Sequence, residues 1–155
     1  MLQYISKSEK DTINLAKILA QNLHKGDIVV LSGDLGSGKT KFTEGVLQYF
    51  CIEHEISSPT FTIVNEYNTP KLDIFHFDVY RLEDVEEFYA IGGDEYFSKG
   101  LCIIEWGEII ESALPKDYIK INFFRDFENE DIRKINIEFL GEKYLQLEET
   151  LLKEV

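Results

Sequence analysis

The sequence predicts one α/β domain, a mixed sheet flanked by helices, and three observations carry that expectation. Two short continuous apolar runs, Ile28-Val29-Val30-Leu31 and Leu101-Cys102-Ile103-Ile104, have the character of strands buried on both faces, as in a parallel sheet. A glycine-rich stretch beginning at Gly33 follows the first run and opens a helical segment from about Lys39 to Phe50. Alternating segments separated by turn-forming residues read as hairpins. Parallel strands need helices to cross over between them, while hairpins add antiparallel strands, so the sheet is expected to be mixed.

Taken in order, Ser6-Lys7-Ser8-Glu9 has the spacing of a capping box, with Ser8 as a competing cap. Ile13, Ala16, Ala20 and Leu23 then recur at helical spacing, and Gly26 closes this first helix before the strand at Ile28. Past the second helix, Phe61 to Tyr67 alternates in polarity, Asn68-Thr69-Pro70 signals a turn, and Leu72 to Asp78 reads as the returning strand. Leu82 to Ile91 is acidic and helical and stops at Gly92-Gly93. The strand at Leu101 leads into Glu105-Trp106 and a short helix ended by Pro115. Tyr118 to Phe124 and Arg133 to Leu140 form a second hairpin, and the tail from Glu142 carries Tyr144, Leu147, Leu151 and Leu152 at spacings that suit a closing helix. No repeat, linker or low-complexity stretch divides the chain.

Composition narrows the function by exclusion. The 155 residues, 44% of them hydrophobic, are enough to bury a substantial core. A formal charge of −13 and only three arginines (Arg81, Arg125, Arg133) argue against an extended grip on nucleic acid, which relies on clustered cations. No apolar run approaches a membrane span, and no secretory leader pattern opens the chain, so a cytoplasmic protein with no membrane association is expected. Cys51 and Cys102 stand beside apolar residues, show no metal-ligand spacing, and are expected to be buried thiols in a reducing compartment.

The motif that carries chemistry is Gly33-Asp34-Leu35-Gly36-Ser37-Gly38-Lys39-Thr40, which meets GxxxxGK[ST] at every fixed position. Glycines at Gly33, Gly36 and Gly38 allow a backbone curl whose N–H groups point at phosphate oxygens. Lys39 is placed to reach the β- and γ-phosphates, the Thr40 hydroxyl to bind Mg²⁺, and the next helix to add its positive end. Residues 1–155 therefore read as a single P-loop NTPase-like domain that binds ATP and Mg²⁺. Hydrolysis needs a further acid near the metal and the attacking water. Two apolar runs end in one, Phe75-His76-Phe77-Asp78 and Cys102-Ile103-Ile104-Glu105, and spacing alone does not choose between them.

Together with the phosphate loop, Ser58 to Tyr67 (SPTFTIVNEY), His76 to Asp84 (HFDVYRLED) and Ile104 to Glu108 (IEWGE) resemble the TsaE family of P-loop ATPases of bacterial tRNA threonylcarbamoyladenosine synthesis. The resemblance runs from Ser8 to about Pro115. It implies that Glu105 is the second magnesium ligand beside Thr40, and that Asp78 is an acid needed for ATP turnover. It further implies a functional part for Trp106, a candidate γ-phosphate switch at Thr60, and an adenine-lining segment near Glu9 and Thr12. Lys41 and Glu44 depart from the family pattern, which commonly has threonine and arginine at these places.

The function so implied is an auxiliary ATPase acting with TsaB and TsaD proteins in forming t6A at adenosine 37 of tRNA. TsaD would catalyse the transfer, and the ATPase, weak alone, would support multiple turnover, with tRNA held mainly by the partners. A small-molecule P-loop kinase is the alternative, disfavoured because only Arg81 stands near a site motif and the chain has little room for a lid. A GTPase switch is disfavoured by the lack of NKxD and DxxG. Acidic Glu83 to Glu87 reads as a solvated helix surface.

Overall fold

The computed structural model describes residues 1–34, 36–52 and 63–155. Among these residues seven strands form one sheet: β1 (Leu2–Ser6), β2 (Ile28–Gly33), β3 (Val64–Asn68), β4 (Asp73–Asp78), β5 (Leu101–Glu105), β6 (Tyr118–Arg125) and β7 (Arg133–Leu140). Their spatial order is β1-β7-β6-β2-β5-β4-β3. The centre, β6-β2-β5-β4, is parallel, and antiparallel partners extend both sides, β7 and β1 on one and β3 on the other. The expected mixed sheet and both hairpins are present. Helices α1 (Glu9–Ala20), α2 (Lys39–Tyr49), α3 (Val85–Ala90) and α4 (Leu145–Glu154) flank it, with short 3-10 segments at Gly93–Ser98, Gly107–Ala113 and Glu142–Tyr144.

The continuous apolar runs are explained by a sheet covered on both faces. Side chains alternate along a strand. In β2, Val29 and Leu31 join the core formed with α1 and α2, whereas Ile28 and Val30 join a second core with Phe77, Phe88 and Ile110. Leu101 and Ile103 of β5 face the first core, and Cys102 and Ile104 the second. Full burial pushes the Cys102 thiol up to about 12, so it is an inert packing group. Cys51 corrects an expectation: it is exposed, at a left-handed φ of 69° in the turn after α2.

Strand β1 is absent from the periodicity reading for an identifiable reason. Its outward residues include apolar Ile5, 50% exposed, while polar Ser6 is buried. Ser6 Oγ lies 2.7 Å from Thr12 Oγ1, which satisfies the inward hydroxyl. The true N-cap of α1 is Ser8, whose Oγ accepts from the Asp11 N–H at 3.1 Å, while Asp11 accepts from the Lys7 N–H at 2.9 Å. The cap therefore shifts by two residues because Ser6 belongs to the sheet. The acidic segment forms α3, capped by Asp84 accepting from the Glu87 N–H, with Phe88 buried. No helix among the described residues is long and apolar enough to cross a membrane.

Candidate nucleotide site

Strand β2 delivers the glycine-rich loop to the carboxyl edge of the parallel strands, where such sheets bind ligands. At Gly33, with φ 150°, a Cβ would meet the Phe123 carbonyl oxygen of β6 at 2.8 Å, so only glycine lets the loop leave the sheet here. Gly38 caps α2 at φ 114° and, having no side chain, leaves the helix N–H groups without a cap bond of its own, and no acid occupies the first turn. Helix α2 thus presents its positive end without an internal counter-charge, the arrangement that receives phosphate.

Lys39 opens α2 and is buried. Its Nζ donates to the Gly33 carbonyl at 2.6 Å and stands 3.9 Å from the centroid of the Trp106 ring. Burial pushes the ammonium below the ordinary lysine range, opposed by the negative charges of Glu105, Asp78, Glu108 and Asp34. Trp106, at a left-handed φ of 64°, also packs against Tyr80 with centroids 5.0 Å apart. It is therefore in direct contact with the loop lysine rather than only filling the core.

The two acids left open by spacing are neighbours. Asp78 ends β4, Glu105 ends β5, and the parallel register pairs them directly. Both are largely buried, at 6% and 4% exposure. Asp78 Oδ1 accepts from the Tyr80 N–H at 3.0 Å, and Glu105 Oε2 lies 2.7 Å from His76 Nε2. Glu108 accepts a hydrogen bond from Ser32 at the end of β2, which ties the 3-10 segment to the loop.

These groups border a cleft of about 650 Å³, ample for a nucleotide. Gly36, Gly38, Lys39 and Thr40 line one part, and Asp78, Glu105 and Trp106 another. Glu9 and Thr12 of α1 contribute a third. Gly33, Asp34 and Ser37 belong to the same loop without lining the cleft. Leu35 and Thr60, and with them the proposed switch, lie outside the described residues.

Sequence reasoning did not place Ser8, Tyr80 or the turn between β6 and β7 at the cleft. That turn brings Glu130, Asp131 and Arg133 to the cleft. The Arg133 guanidinium donates to the Gly36 carbonyl at 3.2 Å and to the Glu130 and Ile132 carbonyls, so it braces the phosphate loop. No local pattern marks Arg133, because its approach depends on β6 lying beside β2. The two departures from the family pattern are paired: Lys41 Nζ reaches Glu44 at 3.2 Å and Glu9 at 3.6 Å, and Lys41 lines the cleft.

Among the described residues no group of three or more His, Cys, Asp or Glu is gathered to hold a metal alone. The donors at the cleft, Thr40, Asp78 and Glu105, are all hard oxygens. Such a set fits Mg²⁺, which takes one or two protein ligands and completes its shell with phosphate and water.

A parallel strand feeding a glycine loop and helix, with acids at the neighbouring strand tips, defines an α/β domain of the P-loop type. The family model described as "Threonylcarbamoyl adenosine biosynthesis protein TsaE" matches residues 6–135, and the chain belongs to the TsaE family. Relatives carrying the name tRNA threonylcarbamoyladenosine biosynthesis protein TsaE include one from Rickettsia prowazekii, 46% identical over 116 residues, covering 74% of this chain and 81% of that protein. Another, from Bacillus subtilis, is 40% identical over 151 residues, covering 97% of this chain and 93% of that one. The crystal structure of YdiB from the same species superposes with a TM-score of 0.80 at 33% identity, covering 99% of this chain and 95% of that one.

Proposed function

We propose that this chain is the ATPase of tRNA threonylcarbamoyladenosine synthesis, binding Mg-ATP in the cleft and acting with TsaB and TsaD proteins to sustain multiple turnover. The observation that carries the ATPase reading is the convergence of Lys39, Thr40, Asp78 and Glu105 on one cleft at the uncapped end of α2. The pathway rests on family membership and on the names of the relatives.

In this reading the loop and α2 N–H groups receive the phosphates. Lys39 would exchange the Gly33 carbonyl and the Trp106 face for β- and γ-phosphate oxygens, which places its charge where negative charge gathers on the leaving diphosphate. Thr40 and Glu105 would hold Mg²⁺, which would supply positive charge to offset the phosphates. Asp78, fixed by the Tyr80 N–H, orients the attacking water. Arg133 keeps the loop curled from outside. The cytoplasm is the proposed setting. A net charge of −13 leaves tRNA to be held mainly by the partners.

Steady-state ATP hydrolysis, with and without a purified TsaB–TsaD pair, tests the proposal. Stimulation by the pair that is lost in Lys39→Ala supports it. Turnover indifferent to the pair would contradict the pathway, and a phosphorylated product from a metabolite panel would replace the ATPase by a kinase.

A further inference from the structure

We infer that His76 is a positioning residue for the metal site, anchoring one oxygen of Glu105 in the sheet so that the other is presented to the bound nucleotide. The inference rests on the proposed role of Glu105 in holding Mg²⁺. It starts from strand geometry. Alternation puts Ile74, His76 and Asp78 on one face of β4, and the register sets His76 beside Ile103 and Asp78 beside Glu105. His76 and Glu105 are therefore diagonal neighbours on adjacent parallel strands. Their side chains meet at 2.7 Å, Nε2 to Oε2, with His76 only 1% exposed.

A glutamate has three side-chain torsions, and fixing them costs rotamer entropy. The imidazole removes that freedom before ligand arrives. With Nε2–H donating to Oε2, Oε1 is left for the cleft that Glu105 lines.

Packing alone does not account for His76. Its Nδ1 is buried without a hydrogen-bond partner among the described residues. A bare ring nitrogen in the core is a cost that Phe or Leu would avoid. The ring is retained where only one of its nitrogens is satisfied, and that nitrogen is the one on Glu105. Position supports the same assignment: His76 precedes Asp78 by two residues, so one strand supplies both a cleft acid and the support of its neighbour.

The test is calorimetric titration with ATP, in Mg²⁺ and in EDTA, of the wild type, His76→Leu, His76→Gln, His76→Asn and Glu105→Gln. In EDTA the His76 variants are expected to bind ATP within about twofold of wild type. In Mg²⁺, His76→Leu is expected to lose about tenfold or more of the metal-dependent gain in affinity, the scale seen when supports of metal ligands are removed. The amide of His76→Gln reaches Glu105 and restores most of that gain. His76→Asn is too short, and behaves like His76→Leu even if the latter folds poorly. Equal losses with and without Mg²⁺ would overturn the inference in favour of a packing role. A full Mg²⁺ gain in His76→Leu and His76→Asn, with the gain lost in Glu105→Gln, would overturn it while sparing the metal site. A full gain in Glu105→Gln would remove the metal reading beneath it.

Discussion

Two buried carboxylates at opposite ends of the parallel strands show how structure and function separate in this fold. Asp27, immediately before β2, is 2% exposed and saturated from within the chain. It accepts from the His24 N–H, the Tyr144 hydroxyl and the Lys143 ammonium, each at 2.7 Å. Burial and the Asp27 charge push the Tyr144 phenol well above its ordinary value, so it stays a donor. This cluster locks the C-terminal segment onto the edge of the sheet away from the cleft. Glu105, nearly as buried, ends β5 instead, is anchored by His76 and borders an open cleft beside Lys39. A buried charge needs partners. At Asp27 the chain provides three, whereas at Glu105 His76 provides one and, in the proposed reading, Mg²⁺ would complete the set.

The sharpest way to break this contrast is to remove each carboxylate's function in turn. Glu105→Gln, whose amide oxygen still accepts from His76, is expected to lower Mg²⁺-dependent ATP turnover about 100-fold, roughly 3 kcal/mol of barrier, while urea unfolding stays near wild type. Unaltered metal dependence would move the role to Asp78. Tyr144→Phe should do the reverse. It leaves Asp27 short of a donor and is expected to cost about 1–3 kcal/mol in urea unfolding, with ATP affinity unchanged. Loss of nucleotide affinity in this variant would show that the two ends of the sheet are coupled.

A smaller effect concerns the loop. Arg133→Ala frees the Gly36 carbonyl and is expected to weaken ATP binding about three- to tenfold without changing its Mg²⁺ dependence, checked by calorimetry. The smallest is the pH dependence set by Lys39. Burial holds its folded pKa below the ordinary 10.5, so between those two values the folded protein binds fewer protons than the unfolded chain. Stability therefore rises with pH through that alkaline window, and the lysine's contribution to ATP affinity falls through it. Urea unfolding across the window should show wild type gaining stability relative to Lys39→Met as pH rises, since the groups shared by both proteins cancel.

Much of the functional edge was legible because its signals are contiguous. Eight consecutive residues carry the phosphate loop, and apolar runs ending in Asp78 and Glu105 announce strands with acids at their tips. The register then brings both acids to one cleft on adjacent strands. The rest depended on long-range pairing that no local pattern records. Arg133 reaches Gly36 across 97 residues of chain, and His76 reaches Glu105 across 29. Strand β1 escaped notice because Ser6 is buried through its bond to Thr12 while Ile5 faces outward. Cys51 looked buried from its apolar neighbours, yet the turn after α2 exposes it.

The central claim is that this cleft binds Mg-ATP through the loop lysine. Calorimetric titration of Mg-ATP into wild type and Lys39→Ala tests it most directly. The account predicts saturable binding to wild type and a loss of at least about 100-fold in the variant, the scale of removing charged hydrogen bonds to phosphate. Equal affinity in the two proteins would contradict it.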